Sequence, residues 1–157
     1  QFLFCILFCR NEEVRMLRVT THSVKETEQF AQKLAQKLKP NDIIAFTGGL
    51  GAGKTAFVRG LANGLGCSDE VSSPTFSLVH EYEGPIVLYH FDMYRVHTMD
   101  ELYSTGFYDY LGCGGILAIE WSENIASALK WESCIFVSIE QDGENTRTIT
   151  VNGGDRF

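Results

Sequence analysis

Residues Asp42 to Leu65 read DIIAFTGGLGAGKTAFVRGLANGL: an apolar run, a glycine-rich turn and a run with helical spacing, in that order. Ile43, Ile44, Ala45 and Phe46 form the short unbroken apolar stretch that a strand buried on both faces requires. Phe57, Val58, Leu61 and Leu65 fall on one face of a helix that opens near Lys54, and Gly66 supplies its stop. Between strand and helix, Gly48, Gly53, Lys54 and Thr55 fit the phosphate-binding pattern G-x-x-x-x-G-K-[ST], the Walker A loop. Gly48, Gly49, Leu50, Gly51, Ala52 and Gly53 must wrap closely around a polyphosphate with backbone N–H groups pointing inward. The glycines serve where a Cβ would clash. The helix that continues through Ala56 aims its positive end at the same anion. Lys54 offers a cation to the β- and γ-phosphates, and the Thr55 hydroxyl offers a ligand to Mg²⁺.

The pattern alone licenses triphosphate binding, which kinases, GTPases and ATPases share. Composition narrows it. With 157 residues, 45% of them hydrophobic, the chain is expected to form one globular domain with a proper core. The formal charge of −7, from 20 acidic and 13 basic residues, lacks the electrostatic footprint of a protein that grips nucleic acid unaided. Of the five cysteines, Cys67, Cys113 and Cys134 stand in no C-x-x-C pair and near no histidine at zinc spacing. They read as buried, reduced thiols of a cytosolic protein.

Residues 1–15, QFLFCILFCRNEEVR, differ in character from the rest of the chain. Their apolar run is too short to span a bilayer and has no basic lead-in. Met16 is a candidate start, and the leader reads as an upstream extension or expression remnant, non-native or disordered, with Cys5 and Cys9 weak metal ligands. Residues 16–157 then form a single domain. Met16 to Thr21 alternate as an edge strand. Ser23 and Glu26 make a capping box for a helix whose face is Val24, Thr27, Ala31, Leu34, Ala35 and Leu38, ended by Lys39-Pro40. Ser77–Tyr82 and Ile86–Phe91 read as a hairpin about Glu83-Gly84-Pro85, Met99–Tyr110 as one or two short helices, Gly115–Ile119 as a strand and Ser122–Lys130 as helical. Cys134–Glu140 and Thr146–Val151 close the chain as a second hairpin. This alternation about a phosphate loop indicates an α/β fold with a mainly parallel sheet, helices on its faces and ligand at the carboxyl ends of the strands.

Hydrolysis also needs carboxylates, and two sit at strand ends. Asp92 follows Ile86–Phe91 and Glu120 follows Gly115–Ile119, so both are expected at the edge where phosphates bind. Glu120 is favoured for the Mg²⁺ side and Asp92 as the switch or water-positioning acid, with a helix N-cap as the alternative for Asp92. Thr75, after Pro74, fits either a switch residue or, favoured on spacing alone, an ordinary turn. Arg95 is equally consistent with neutralising transition-state charge and with a solvated arginine. Trp121 reads as core rather than contact surface, and His90 as an in-strand histidine satisfied by a hydrogen bond rather than a general base.

Together, Gly51-Ala52-Gly53-Lys54-Thr55, Ser73-Pro74-Thr75-Phe76, His90-Phe91-Asp92-Met93-Tyr94-Arg95 and Ile119-Glu120-Trp121 resemble, in order and spacing, the TsaE (YjeE) family over roughly residues 16–152. The resemblance implies a three-layer P-loop NTPase fold and ATP hydrolysis with Mg²⁺. It also implies a cytoplasmic complex with the TsaB and TsaD proteins, which make threonylcarbamoyladenosine at position 37 of tRNA. By position, it implies that Lys54 binds phosphates, that Thr55 and Glu120 serve Mg²⁺ and that Asp92 is needed for hydrolysis. Ser73, Pro74, Thr75 and Phe76 become a switch-like loop, Arg95 belongs with it, and Trp121 is important for activity. Thr21 to Thr27 and Arg147 stand at adenine-pocket positions. Two departures stand in the loop: Gly49, where the family usually has a polar residue such as Asp, and Ala56, where it usually has a second Thr.

A small-molecule or nucleoside kinase would use the same loop, but no arginine-rich lid is visible. A GTPase lacks its N-K-x-D sequence, although Asp109 to Gly112 mimics D-x-x-G. A nucleotide-dependent binding module with negligible turnover is the third reading.

Overall fold

A computed structural model describes residues 16–49, 51–129 and 133–157. The leader with Cys5 and Cys9, and Leu50 in the phosphate loop, lie outside the described residues. In chain order the elements are β1 (Met16–Thr21), α1 (Val24–Ala35), β2 (Ile43–Thr47), α2 (Lys54–Leu65), β3 (Val79–Tyr82) and β4 (Leu88–Asp92). They continue with α3 (Met99–Ser104), a 3₁₀ turn (Phe107–Tyr110), β5 (Ile116–Glu120), a 3₁₀ segment (Ser122–Ala128), β6 (Cys134–Gln141), β7 (Arg147–Asn152) and a last 3₁₀ turn (Gly154–Arg156).

The strands form one sheet in the order β1-β7-β6-β2-β5-β4-β3. Its centre is parallel: β2 pairs with both β6 and β5, and β4 pairs with β5. The antiparallel pairs are confined to the flanks, where β3 joins β4 and β7 lies between β1 and β6. Because β2 has neighbours on both edges and helices over both faces, Ile44, Ala45 and Phe46 are fully buried, which explains their unbroken apolar run. Side chains alternate between the two faces. Ile44, Phe46, Leu88, Ile116 and Ala118 meet α1 and α2, whereas Ala45, Phe91, Leu117 and Ile119 meet Leu102 of α3, Phe107 and Ile125.

Several boundaries differ from the sequence expectation for local reasons. The Ser23 hydroxyl caps α1 by accepting from Glu26 N–H, but the Glu26 carboxylate accepts from His22 N–H rather than closing the box on Ser23. The helix ends at Ala35, and Gln36, Lys37 and Leu38 continue with tighter i→i−3 bonds that keep Leu38 buried. Val24, expected on the core face, is exposed, and Phe30 occupies the core instead. Ser77 and Leu78 belong to a turn, since Leu78 has a φ of 67° and its N–H donates to Pro74 O at 2.9 Å. Ser122–Ala128 is 3₁₀ with a break at Ile125, and Lys130 lies outside the described residues.

Helix α2 lies against α1 because two of its residues have no side chain. A Cβ on Gly60 would sit 2.3 Å from Glu28 O, and one on Gly64 would sit 2.5 Å from Gln32 O. The Arg59 guanidinium pairs with Glu28 at 2.7 Å, and Gln36 Nε2 donates to Gly64 O at 2.7 Å, which sets the lateral register of the two helices.

This packing has two measurable consequences. Gly60→Ala gains about 1 kcal/mol of helix propensity but must push backbone from backbone, so we expect urea unfolding to show a net loss of ~1–3 kcal/mol. The cysteines should also separate by reactivity. Burial, and then the charge of Asp69, push the Cys67 thiol up from its ordinary value, whereas Cys113 is exposed, against the expectation of a buried thiol. Iodoacetamide at neutral pH, followed by peptide mass mapping, should therefore label Cys113 well before Cys67.

Candidate functional site

Three parallel strands end side by side at one edge of the sheet. Strand β2 runs out into the glycine-rich loop, while β4 and β5 end in Asp92 and Glu120, which are directly paired in register. Both acids have the parity of Leu88, Ile116 and Ala118, so they face α2 rather than α3. The loop, the start of α2 and the two acids enclose a cleft of about 360 Å³. It is lined by Gly51, Ala52, Gly53, Lys54, Thr55, Ser73, Thr75, Asp92, Tyr94, Glu120 and Trp121.

The loop's shape depends on close approach. A Cβ on Gly48 would sit 2.6 Å from Ile139 O of β6, and the residue has a φ of 134°, so glycine is obligatory there. Gly53, just before α2, has a φ of 106° and gives the helix no side-chain cap. The first N–H groups of α2 are thus left for a ligand. Gly49 differs: nothing lies within 4 Å of an added Cβ, so a side chain would fit. Gly48, Gly49 and Ala56 do not line the cleft, and Leu50 lies outside the described residues. The loop's outer side is held from β7, where Arg147 Nε donates to Ala52 O at 3.0 Å. The Arg147 Nη1 group meanwhile donates to the carbonyls of Gly143, Glu144 and Thr146.

Lys54 is the cation of the cleft. Its side chain is inward, with the residue 5% exposed, and Nζ donates to Gly48 O at 3.0 Å. Nζ also lies 4.5 Å from the centre of the Trp121 ring, a cation–π arrangement. An ammonium has three donors, and a single carbonyl bond among the described residues leaves it short of partners for so buried a charge, a donor set that fits a polyphosphate. Among the described residues no group of three or more His, Cys, Asp or Glu side chains could hold a metal by itself. Thr55, Asp92 and Glu120 present a few hard oxygens, which suits an Mg²⁺ that keeps phosphate and water ligands.

The acids are held differently. Asp92 Oδ1 accepts from Tyr94 N–H at 2.9 Å, a local turn rather than the helix N-cap weighed from sequence, since Thr98 caps α3. Glu120 Oε1 lies 2.8 Å from His90 Nε2, and the Glu120 backbone accepts from Met93 N–H at 3.0 Å. His90 is therefore hydrogen-bonded inside the sheet, as its position in a strand suggested.

The structure brings most, but not all, of the candidate residues together. Lys54, Thr55, Ser73, Thr75, Asp92, Glu120 and Trp121 share the cleft. Trp121, read as core, is half-buried and lines it, because a φ of 56° turns the chain sharply at the end of β5. Pro74 is buried and Phe76 stands 93% exposed outside the cleft. The Ser73 and Thr75 hydroxyls bond each other at 2.7 Å. Arg95 does not line the cleft; its guanidinium donates to Thr75 O, so it braces this loop. Thr21 and Thr27 are buried and share a 2.8 Å hydroxyl bond, beside Arg147, which pairs with Thr21 in the sheet. Two contacts have no counterpart among the sequence expectations, one made by Tyr94 and one by Arg147, which the resemblance places at the adenine pocket. Tyr94 lines the cleft and packs on Trp121 at 5.0 Å between ring centres, and its only signal was membership of the Asp92 segment. The bond of Arg147 to the loop crosses the sheet and left no local signal at all.

Comparison with known proteins agrees with this geometry. Residues 21–149 match the family model of the threonylcarbamoyl adenosine biosynthesis protein TsaE. The chain is 35% identical to the tRNA threonylcarbamoyladenosine biosynthesis protein TsaE of Treponema pallidum, over 86% of this chain and 99% of that one. It is 37% identical to the protein of the same name from Bacillus subtilis, over 92% and 90% of the two chains. The crystal structure of Bacillus subtilis YdiB superposes with a TM-score of 0.75 at 33% identity, covering 94% of this chain and 92% of that one. A family model spanning most of the sheet, relatives matched over nearly their whole length and a solved structure of the same α/β architecture agree: this chain belongs to the TsaE family.

Proposed function

We propose that this chain binds and hydrolyses Mg-ATP as the ATPase of the cytoplasmic machinery that forms N6-threonylcarbamoyladenosine at position 37 of tRNA, acting in a complex with TsaB and TsaD. The observation that carries the reading is the under-partnered, buried ammonium of Lys54 facing Asp92 and Glu120 across one small cleft. A cation opposite two carboxylates suits a ligand that is itself an anion carrying a divalent metal.

In this reading the backbone of Gly51 to Thr55 and the start of α2 cradle the phosphates, and Lys54 exchanges Gly48 O for phosphate oxygens. Thr55 and Glu120 hold the metal side of the substrate. Mg²⁺, when bound with ATP, offsets charge on the phosphate oxygens. Asp92 orients the attacking water, which cleaves the terminal phosphoanhydride bond to yield ADP and phosphate. Ser73 to Phe76, braced by Arg95, serves as the switch-like loop that senses the terminal phosphate. Trp121 and Tyr94 wall the cleft on the side where Lys54 must move. The partner assignment rests on membership of the TsaE family, and the net charge of −7 agrees with tRNA being held by the partners. No helix among the described residues is long and apolar enough to cross a membrane.

The site assignments separate binding from turnover. Lys54→Ala should abolish measurable ATP binding in calorimetry. Glu120→Gln should keep binding while hydrolysis falls on the order of 10²-fold or more, as expected when a group that stabilises the transition state is removed. Turnover that survives either change would overturn the assignment. A second experiment tests the function itself. Slow ATPase activity should rise on adding TsaB with TsaD, whereas phosphorylation of a nucleoside acceptor without such stimulation would replace this reading with that of a kinase.

A further inference from the structure

His90 is fully buried, at 0% exposure, on the face of β4 that carries Asp92 two residues on. Its register partner on β5 is Ala118, two residues before Glu120, so the imidazole reaches diagonally along that face to the carboxylate. The Nε2 to Oε1 distance is 2.8 Å, while Nδ1 is buried with no hydrogen-bond partner among the described residues. Tyr82 of β3 closes the far side, 6.2 Å away between ring centres.

A buried nitrogen with no partner is unfavourable, and an apolar ring would fill the same space without it. The arrangement makes chemical sense through its other nitrogen. An ionised carboxylate can only accept, so the 2.8 Å contact assigns a proton to Nε2, which donates to Glu120. With Oε1 tied to Nε2–H, the carboxylate cannot turn freely, and Oε2 accepts no hydrogen bond among the described residues. Glu120 thus meets the cleft with one oxygen already fixed and the other left for the ligand.

We propose that His90 is a positioning residue: its Nε2–H holds Glu120 in the orientation needed to serve the metal side of Mg-ATP. The role rests on the hydrolytic reading above. Imidazole–carboxylate pairs of this kind beside metal-binding oxygens tune affinity without touching the substrate.

The test uses the whole chain with His90→Phe, which keeps the ring volume, and His90→Gln, which returns an N–H donor near the ε position. His90→Phe should leave metal-free nucleotide affinity unchanged but raise the Mg²⁺ concentration needed for binding and lower kcat, each by about 10–100-fold. His90→Gln should restore most of both. Imidazole ¹⁵N spectra of the wild-type protein should show a protonated Nε2, with Glu120→Gln shifting its signal. Wild-type Mg²⁺ dependence in His90→Phe, equal losses in the Phe and Gln variants, or an Nε2 without a proton would each overturn the proposal. A wild-type protein with no Mg²⁺-dependent nucleotide binding would overturn the hydrolytic reading and this role with it. The imidazole spectrum would still report separately whether His90 holds Glu120.

Discussion

The structure depends on β2 being enclosed between β5 and β6. Hydrogen-bonded on both edges, β2 has no freedom to shift, so the loop that leaves it begins at a fixed point beside Ile139. The carbonyl of Ile139 then admits only a glycine at Gly48, and the chain turns across the strand ends toward α2. Every other part of the cleft is measured from that point. Parallel pairing of β4 on β5 places Asp92 and Glu120 at the same height, and strand parity points both toward α2.

Electrostatics fits the proposal that this edge is a site. Burying an ammonium and two carboxylates opposes folding unless each finds a partner. Here each is partly satisfied: Lys54 by Gly48 O and the face of Trp121, Asp92 by Tyr94 N–H, and Glu120 by His90. The remaining valence is turned inward, where a metal-bound polyphosphate would complete it. The strain of Trp121 at a φ of 56° belongs to the same arrangement, since the turn brings its ring over Lys54.

Local patterns were legible where one segment decides its own structure. The unbroken apolar run of β2, the glycine that stops α2 and both hairpins all arise from neighbours in sequence, and the alternation of β1 suits the edge strand it forms. Readings failed where tertiary contacts overrule local pattern. Val24 fits the helical spacing but is exposed, whereas Phe30 is buried with its ring edge-on to Phe57. Trp121 looks like core by composition, yet the turn after β5 brings it to the cleft. For Arg95, residue type alone leaves a catalytic and a solvated role open, and the fold has it brace the backbone at Thr75, in the loop with which the resemblance groups it.

The sequence by itself determined the phosphate loop, the two strand-end acids and the family resemblance, because glycine spacing, apolar runs and motif order are properties of contiguous residues. Only the tertiary structure decided that Gly48 is obligatory while Gly49 is not, that Arg147 clamps Ala52, and that His90 grips Glu120. Each of these is a contact between residues distant in the chain. Their distances depend on sheet order and register, which no local window of sequence contains.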